Sequence, residues 1–367
     1  MTVERETAGF VLPFAAGTIA ARLIATHIAI TQVHCTIPIL ITVAGFSCLI
    51  HPSHKTWNWR LIQAIICIVA MSCGIWTGFS DKFISISSPG YHRILTGHAE
   101  ALCHSLKGYI DTIPFRSNET VEIIKALITG ERSGISRETI TAFRSSGASH
   151  ILALSGLYLG IIYGIIARIL SVAGNNTSVR IIRSALIVSL CGIYTLATGA
   201  GASIVRAFLF VLIGEFMLIS GRKRNLGDIL FASLFIQLVI WPESATDIGF
   251  QLSYAAMAGI AFIYPRLKTF LREDKVPKPA RWIWNSAAMS ISCQLTTGPL
   301  AYCYFGTFPE YFLLTNLIAL PLAGLIISAA LLTIVLHMIG ICPEFMIVGT
   351  EILVRALTES LKTISQM

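Results

Sequence analysis

The amino-acid sequence predicts an all-α fold: a polytopic helical membrane protein with about ten transmembrane helices and two or three amphipathic interfacial helices. Three observations lead to this prediction. The chain of 367 residues is 54% hydrophobic and only 13% charged, about half the charged fraction of an average soluble domain. Long apolar runs recur, and about 20 such residues cross a ~30 Å hydrocarbon core as a helix. Lysine and arginine are concentrated in alternate loops between these runs.

The apolar runs divide the chain into four regions. Residues 1–79 form an N-terminal region with three spans, and residues 80–149 form an external segment with amphipathic helices. Residues 150–340 form the main transmembrane bundle, and residues 341–367 form an amphipathic C-terminal helix. One face of this helix carries Phe345, Val348, Ile352, Ala356, Leu357 and Leu361. Residues 199–202 are either a tight turn or a break in one helix. The predicted spans are residues 8–25, 28–50, 61–79, 150–172, 183–199, 203–220, 226–241, 247–264, 283–305 and 311–338.

Loop charges predict which ends of the spans are cytoplasmic, because lysine and arginine mark the cytoplasmic side of short loops. Fourteen of these residues fall in one set of alternate loops, whereas the opposite set holds only Arg22. The N-terminus and residue 340 are therefore expected in the cytoplasm, and the 80–149 segment is expected outside it.

Two short amphipathic helices are predicted in the external segment. The first repeats apolar residues at helical spacing over residues 119–130, with Asn118 as its N-cap and Gly130 at its end. The second begins after Ser136 and ends at Gly147. Both are expected to lie along the outer membrane surface or to roof the bundle as interfacial linkers. In the alternative interpretation, arginines of this segment line an entrance for a polyanion: Arg132, Arg137 and Arg144.

The span that begins at His150 has a regular glycine pattern. Its glycines recur at every fourth residue, Gly156, Gly160 and Gly164, which leaves a bare groove on one face where another helix packs closely. His150 and Ser155 form a polar entrance to this span. They are five residues apart, about 140° around a helix, so one helix does not present them as a catalytic dyad.

Polar residues within spans are costly in lipid and are expected to face the bundle interior or water. Arg206 either lines a polar path or extends its side chain to the membrane surface. Glu215 is expected to make a structural contact with Arg222 or Lys223.

Three other spans carry polar groups or helix-breaking residues. Asp247, Gln251 and Tyr254 share one helix face, either for hydrogen bonds between helices or for a polar path. Gly298-Pro299 is expected to kink the ninth span, and Asn316 precedes a second expected kink at Pro321. Because broken polar helices are tolerated only inside a bundle or beside a water-filled cavity, these spans favour a transport function.

The motifs of several enzyme classes are missing from the sequence. No GxxxxGK[ST] or HExxH pattern occurs, so neither a P-loop ATPase nor a zinc hydrolase of that type is supported. The nine cysteines lie mostly in apolar runs and form no CxxC motif, which is typical of buried hydrophobic residues. We therefore expect no enzymatic activity, no cofactor and no metal site.

One long stretch, GERSGISRETITAFRSSGASHILALSGLYLGIIYG, resembles the hallmark segment of the ComEC-type competence proteins. Further similar segments follow in the same order: GAGASIVRAFLF, DIGFQLSY, Gly298-Pro299 and NLIALP. Together they cover about residues 119–330. The family's SGLHVG histidine is Tyr158 here, residues 80–118 are too few for the family's OB-fold-like domain, and no metallo-β-lactamase-like domain follows. We therefore expect a short form, a fragment or a diverged relative.

The resemblance implies the channel core of an inner-membrane protein that passes single-stranded DNA into the cytoplasm during natural transformation. It implies a separate cytoplasmic ATPase or helicase and a periplasmic DNA-binding protein as partners, besides DNA and membrane lipid, and leaves a homo-oligomer open. A basic or amide-lined path suits a DNA strand. Two alternatives remain: a secondary transporter of a small anionic solute, and a non-transporting truncated relative. The residues expected to line the DNA path are Arg206, Gln251, Asn316, His150, Ser155, Asp247 and Arg144.

Overall fold

The computed structural model describes residues 3–27, 38, 41, 59–80, 89–152, 156–173, 176–198, 201–271, 277–306 and 310–366, and all regular structure in these ranges is helical. The chain divides into a first unit, residues 1–88 with 222–262, and a second unit, residues 89–221 with 263–367. The α-helices are α1 (Val3–His27), α2 (Trp59–Ser80), α3 (Pro89–Asp111), α4 (Asn118–Thr129), α5 (Arg137–Ser145), α6 (Ser149–Leu152), α7 (Gly156–Leu170), α8 (Thr177–Ala197), α9 (Ala202–Ile219), α10 (Leu226–Ile240), α11 (Ile248–Ala258), α12 (Tyr264–Lys268), α13 (Lys278–Phe305), α14 (Phe312–Met338) and α15 (Glu344–Ser365).

Five helical stretches in the described ranges are long and apolar enough to cross a membrane: Thr7–Ile24, Thr177–Ala197, Ala202–Ile219, Ile248–Lys268 and Phe312–Met338. The stretch Ile248–Lys268 includes a π-helix, Gly259–Ile263, between α11 and α12. Three shorter apolar helices are Gln63–Gly78, Gly156–Leu170 and Leu226–Ile240. The all-α prediction is confirmed for these ranges, whereas the predicted count of about ten spans is not.

Some predicted spans lie partly outside the described residues, and two others contain a proline that was expected to kink the helix. Span 28–50 lies outside the described residues except for positions 38 and 41. Residues 153–155 of the predicted span 150–172 also lie outside the described residues, between α6 and α7. The two prolines expected to kink spans lie inside continuous helices, Pro299 in α13 and Pro321 in α14, and the kinks stay predictions.

The first unit is built on a parallel pair of helices, α1 and α2. Contacts advance together along both helices, from Gly9 with Cys67 to Thr18 with Thr77. Helix α10 also runs parallel to α1, since Thr7 donates to Asp228 at 3.2 Å near their starts, and Phe14 lies 4.9 Å, centroid to centroid, from Phe235 further along. Parallel packing is the direction expected of the first and third predicted spans.

Helix α14 is the centre of the second unit. Its small and branched residues, including Ala319, Ala323, Ile326 and Ile327, are buried among side chains of α4, α5 and α15. Helix α15 folds back along α14, so that Thr333 and Thr350 lie 3.4 Å apart, oxygen to oxygen. The core of this unit therefore includes residues that the sequence assigns to an external segment.

Residues 109–146 contact both ends of α14. Tyr109 Oη lies 2.8 Å from His337 Nδ1, and Thr315 donates to the carbonyl of Ser146 at 2.7 Å. The two α14 residues are about 33 Å apart along a helix that rises 1.5 Å per residue. Helix α4 thus packs against α14 and α15, and α5 packs against α15, so both amphipathic helices cover part of the core of this unit.

Helix α15 is amphipathic as predicted, and part of its predicted apolar face is buried, namely Leu357 and Leu361. Ile347, Val354, Leu357 and Leu361 are buried against α14 and its neighbours. Phe345 and Ile352 of the predicted apolar stripe are exposed. Because both faces carry apolar residues, the hydrophobic pattern alone does not select the one that packs inward.

Candidate functional site

Helices α7, α8 and α9 surround the most buried acidic group of the described chain. Glu215 of α9 is 1% exposed. Its carboxylate accepts hydrogen bonds from Tyr163 of α7 at 3.0 Å and from Ser184 of α8 at 2.5 Å. These two partners are different from Arg222 and Lys223, the residues expected from the sequence to contact Glu215. One carboxylate instead connects three helices through two hydroxyl groups.

Arg206 lies on the same helix as Glu215, nine residues closer to its start. Its side chain is 4% exposed, so it does not extend into solvent at the membrane surface. Burial of a guanidinium in a span is expensive and is found where the group meets polar partners or a hydrated space. The sequence left two positions open for the Arg206 side chain, the interior and the membrane surface. The structure favours the interior.

The glycine series of α7 meets its neighbours at one position. A Cβ on Gly156 would lie 2.9 Å from the Cβ of Ala207 on α9, so the two helices are in close contact there. At Gly160 and Gly164 a Cβ would have no described atom within 4 Å. The predicted groove is thus occupied by a helix at its first glycine and open at the other two.

Asn316 lies near the start of α14, next to the contact between Thr315 and Ser146. Its Oδ1 is buried and has no hydrogen-bond partner among the described residues. Buried polar atoms are nearly always satisfied, by water where protein groups are lacking. Helix α7 contacts both α9 and α14, since Ile161 packs on Gly324. Arg206 and Asn316 thus belong to two helices that share α7 as a neighbour.

The polar residues of α11 act locally in the first unit. Asp247 caps the helix by accepting from the backbone nitrogens of Gly249 and Phe250. Gln251 donates to the carbonyl of Ala245 at 2.9 Å, and Tyr254 donates to Gln237 at 3.1 Å. Hydrogen bonding of the predicted kind therefore links α11 to α10 and to the preceding turn.

The predicted entrance residues lie at or near the start of the bundle. His150 Nδ1 is 3.2 Å from the carbonyl of Gly147, and Ser155 lies outside the described residues. Arg144 is exposed at the end of α5, whereas Arg132 donates from Nε to the carbonyl of Leu152 at 3.0 Å. Arg132 thus has a structural role, and Arg144 keeps an exposed side chain.

A network of ion pairs that the sequence did not predict joins α3 to α4 and its following turn. Lys125 contacts Asp111 at 2.6 Å and Glu122 at 3.1 Å, and Lys107 pairs with Glu131. Hydrogen bonds from Lys107 and then Ser133 lower the pKa of Glu131 below its ordinary value. The bond to Glu131 in turn raises the pKa of Lys107, against the opposing effect of burial. This part of the chain therefore satisfies its charges internally.

Within the described part of the chain, no group of three or more histidine, cysteine, aspartate or glutamate side chains is arranged to hold a metal. The polar groups that sequence reasoning missed, Tyr163 and Ser184, carry no motif. Their signal was indirect, because an ionisable residue inside a span requires polar partners on neighbouring helices.

Comparison with known proteins gives one family and two similar curated proteins. The model of a family described as Competence protein matches residues 127–367. ComE operon protein 3 of Bacillus subtilis (strain 168) is 27% identical over 209 residues, 55% of this chain and 25% of that protein. Uncharacterized protein YcaI of Escherichia coli (strain K12) is 24% identical over 223 residues, 59% and 29% of the two chains. The chain thus spans less than a third of either relative, and no solved structure matches it.

Proposed function

Since this chain belongs to the Competence protein family, we propose that it is a membrane component of DNA uptake in natural transformation. The observation that carries the proposal is the family match over residues 127–367. That range includes the bundle in which Arg206 is buried. The finer proposal is that the bundle passes one DNA strand across the inner membrane into the cytoplasm.

The mechanism we propose is guidance of a charged strand by fixed polar groups. A DNA strand carries about one negative charge per nucleotide, so its route must be hydrated and lined by cations or amides. Arg206 supplies a guanidinium at 4% exposure, and Asn316 supplies a carboxamide whose oxygen has no partner among the described residues. We assign these two residues to the route, with His150, Ser155 and Arg144 at its mouth.

We further propose that the N-terminus lies in the cytoplasm. Helices α1, α2 and α10 run parallel, and the loops before them carry basic residues in the sequence. This agreement supports a common cytoplasmic side for the three helix starts, because basic loops remain inside.

In this proposal the chain performs no catalysis. It guides the strand, while a separate cytoplasmic ATPase or helicase supplies the force and a periplasmic DNA-binding protein delivers the DNA. Family membership is the support for these partners.

The test of the proposed route is Arg206→Ala in a transformable host that depends on this chain. We expect transformation frequency to fall at least about tenfold, the effect of losing roughly 1.4 kcal/mol of interaction with the strand. The matched control is Arg168→Ala, which removes an exposed arginine from the end of α7. Membrane levels of both variants are measured by quantitative immunoblot.

Each outcome of this experiment has a definite reading. Normal transformation by the Arg206→Ala variant, at wild-type membrane level, removes Arg206 from the route. Normal transformation after deletion of the whole chain overturns the DNA-uptake proposal. Gradient-driven uptake of a small anion by proteoliposomes, together with that result, would favour the secondary transporter.

A further inference from the structure

The start of helix α13 combines exposed aromatic and basic side chains. Trp282 is 52% exposed, and Phe270, which follows α12, is 81% exposed. Lys278 and Arg281 lie in the first turn of α13, and Arg266 lies on α12. We call these five residues the α12–α13 corner. Large exposed aromatic rings beside cations are typical of the boundary between lipid tails and headgroups.

The corner is held in a fixed geometry. Trp284 donates from its indole nitrogen to the carbonyl of Leu267 at 3.1 Å. Its ring also contacts Phe270, with the two centroids 6.2 Å apart. Helix α12 is thus tied to the first turns of α13, and this contact holds Phe270 close to the helix that carries Trp282.

A second aromatic residue marks the far end of α13. Tyr304, 45% exposed, follows Trp282 by 22 residues in one continuous helix. The two side chains are therefore about 33 Å apart along the axis and within about 40° around it. Met289 lies between them on the same face and is 38% exposed. This spacing matches a hydrocarbon core of about 30 Å bounded by two aromatic belts.

The charges at the corner have one sign among the described residues. No acidic side chain of the described ranges forms an ion pair with Lys278 or Arg281. We propose that the α12–α13 corner is a binding site for an anionic phospholipid. The headgroup phosphate contacts Lys278 and Arg281, while Trp282 and Phe270 lie at the glycerol level. This site is independent of any DNA route.

The experiment uses the full chain, purified in a neutral detergent, and native mass spectrometry with added phosphatidylglycerol or phosphatidylcholine. We expect the wild-type chain to retain phosphatidylglycerol preferentially. The double variant Lys278→Gln/Arg281→Gln is expected to bind phosphatidylglycerol about 30-fold more weakly, because each cation near an anionic lipid surface is worth about 1 kcal/mol. Trp282→Ala is expected to weaken binding of both lipids.

The matched control is Arg222→Gln/Lys223→Gln, which removes two exposed cations from another loop predicted to be cytoplasmic. We expect it to retain wild-type preference. If both double variants lost phosphatidylglycerol binding equally, the lipid would be attracted to net charge in general, and the proposed site would be contradicted. Unchanged phosphatidylglycerol binding in the Lys278/Arg281 variant would overturn it as well. Thermal unfolding without lipid shows whether each variant is folded, and Lys278→Arg/Arg281→Lys, which keeps both charges, should restore binding if the loss is electrostatic.

Discussion

Two groups of helices in this chain are held together by opposite means. Helices α1 and α2 approach until backbone touches backbone: a Cβ on Gly74 would overlap the carbonyl oxygen of Phe14, and a Cβ on Gly17 would overlap that of Met71. Helices α7, α8 and α9 instead meet through side chains, around the carboxylate of Glu215. The contact between α1 and α2 depends on the absence of side chains at two glycines. The contact among α7, α8 and α9 depends on polar side chains.

This difference follows from what drives helix association in lipid. Lipid tails are as apolar as leucine, so helices gain from close van der Waals contact or from hydrogen bonds between them. The α1–α2 pair uses the first source, and the α7–α9 group adds the second to its apolar contacts. A tight glycine contact permits little relative movement, whereas hydrogen-bonded polar groups can exchange partners.

The largest loss of folding stability is expected from Gly74→Ala. The new methyl group overlaps a backbone carbonyl that cannot rotate away, so the helices must separate, at a cost of about 3 kcal/mol. Chemical unfolding of the purified chain in detergent, followed by tryptophan fluorescence, measures the loss. Gly160→Ala is the matched control, since no described atom lies within 4 Å of the new methyl and alanine favours a helix by up to about 1 kcal/mol. Equal destabilisation by both substitutions would contradict the comparison.

A smaller loss of folding stability is expected from Glu215→Leu. It leaves the hydroxyls of Tyr163 and Ser184 without their acceptor, which costs about 2 kcal/mol for buried donors. The triple variant Glu215→Leu/Tyr163→Phe/Ser184→Ala removes the donors too and should recover most of the stability. Unfolding in detergent reports both variants, with Ser189→Ala as an exposed control on α8. If the triple variant is no more stable than the single one, the hydroxyl contacts are not what joins these helices.

The smallest effect concerns a polar contact outside the membrane-spanning helices, between Lys107 and Glu131. The pKa of Glu131 is lowered in the folded chain by its bond to Lys107. The ionised Glu131 side chain therefore stabilises the fold when the pH is above its ordinary pKa of 4.5. This contribution is lost as the pH falls through the lowered pKa. Glu131→Gln should therefore reduce the dependence of the thermal midpoint on pH between 6 and 3. An identical pH profile in the variant would show that this exposed pair contributes nothing, unlike the buried contacts.

Features set by local chemistry could be predicted from the sequence. Ser136 caps α5 by accepting from the backbone nitrogen of Thr139, as predicted. Gly130 and Gly147 end their helices with φ of 80° and 81°, a conformation that glycine adopts without strain. The N-cap of α4 is Ser117 where Asn118 was predicted, a difference of one residue that is usual at helix ends.

Features set by distant partners could not be predicted. Gly74 and Gly78 have the same four-residue spacing as Gly156 and Gly160, yet the first pair is packed and Gly160 is open. Spacing identifies a bare face but not the helix that covers it. In the same way, the sequence predicts that Glu215 needs a partner, but the identity of Tyr163 and Ser184 depends on how three helices are arranged.

The packing of residues 109–146 along α14 has a consequence for synthesis in the cell. Ser146 and Thr315 are separated by 169 residues in the chain. At roughly 5–20 residues per second, about 10–30 s pass before the ribosome delivers the helix that covers Ile123, Ile124 and Leu127. During that interval the apolar face of α4 has no partner from α14. We therefore expect lipid or the insertion machinery to cover this face until α14 and α15 have been translated.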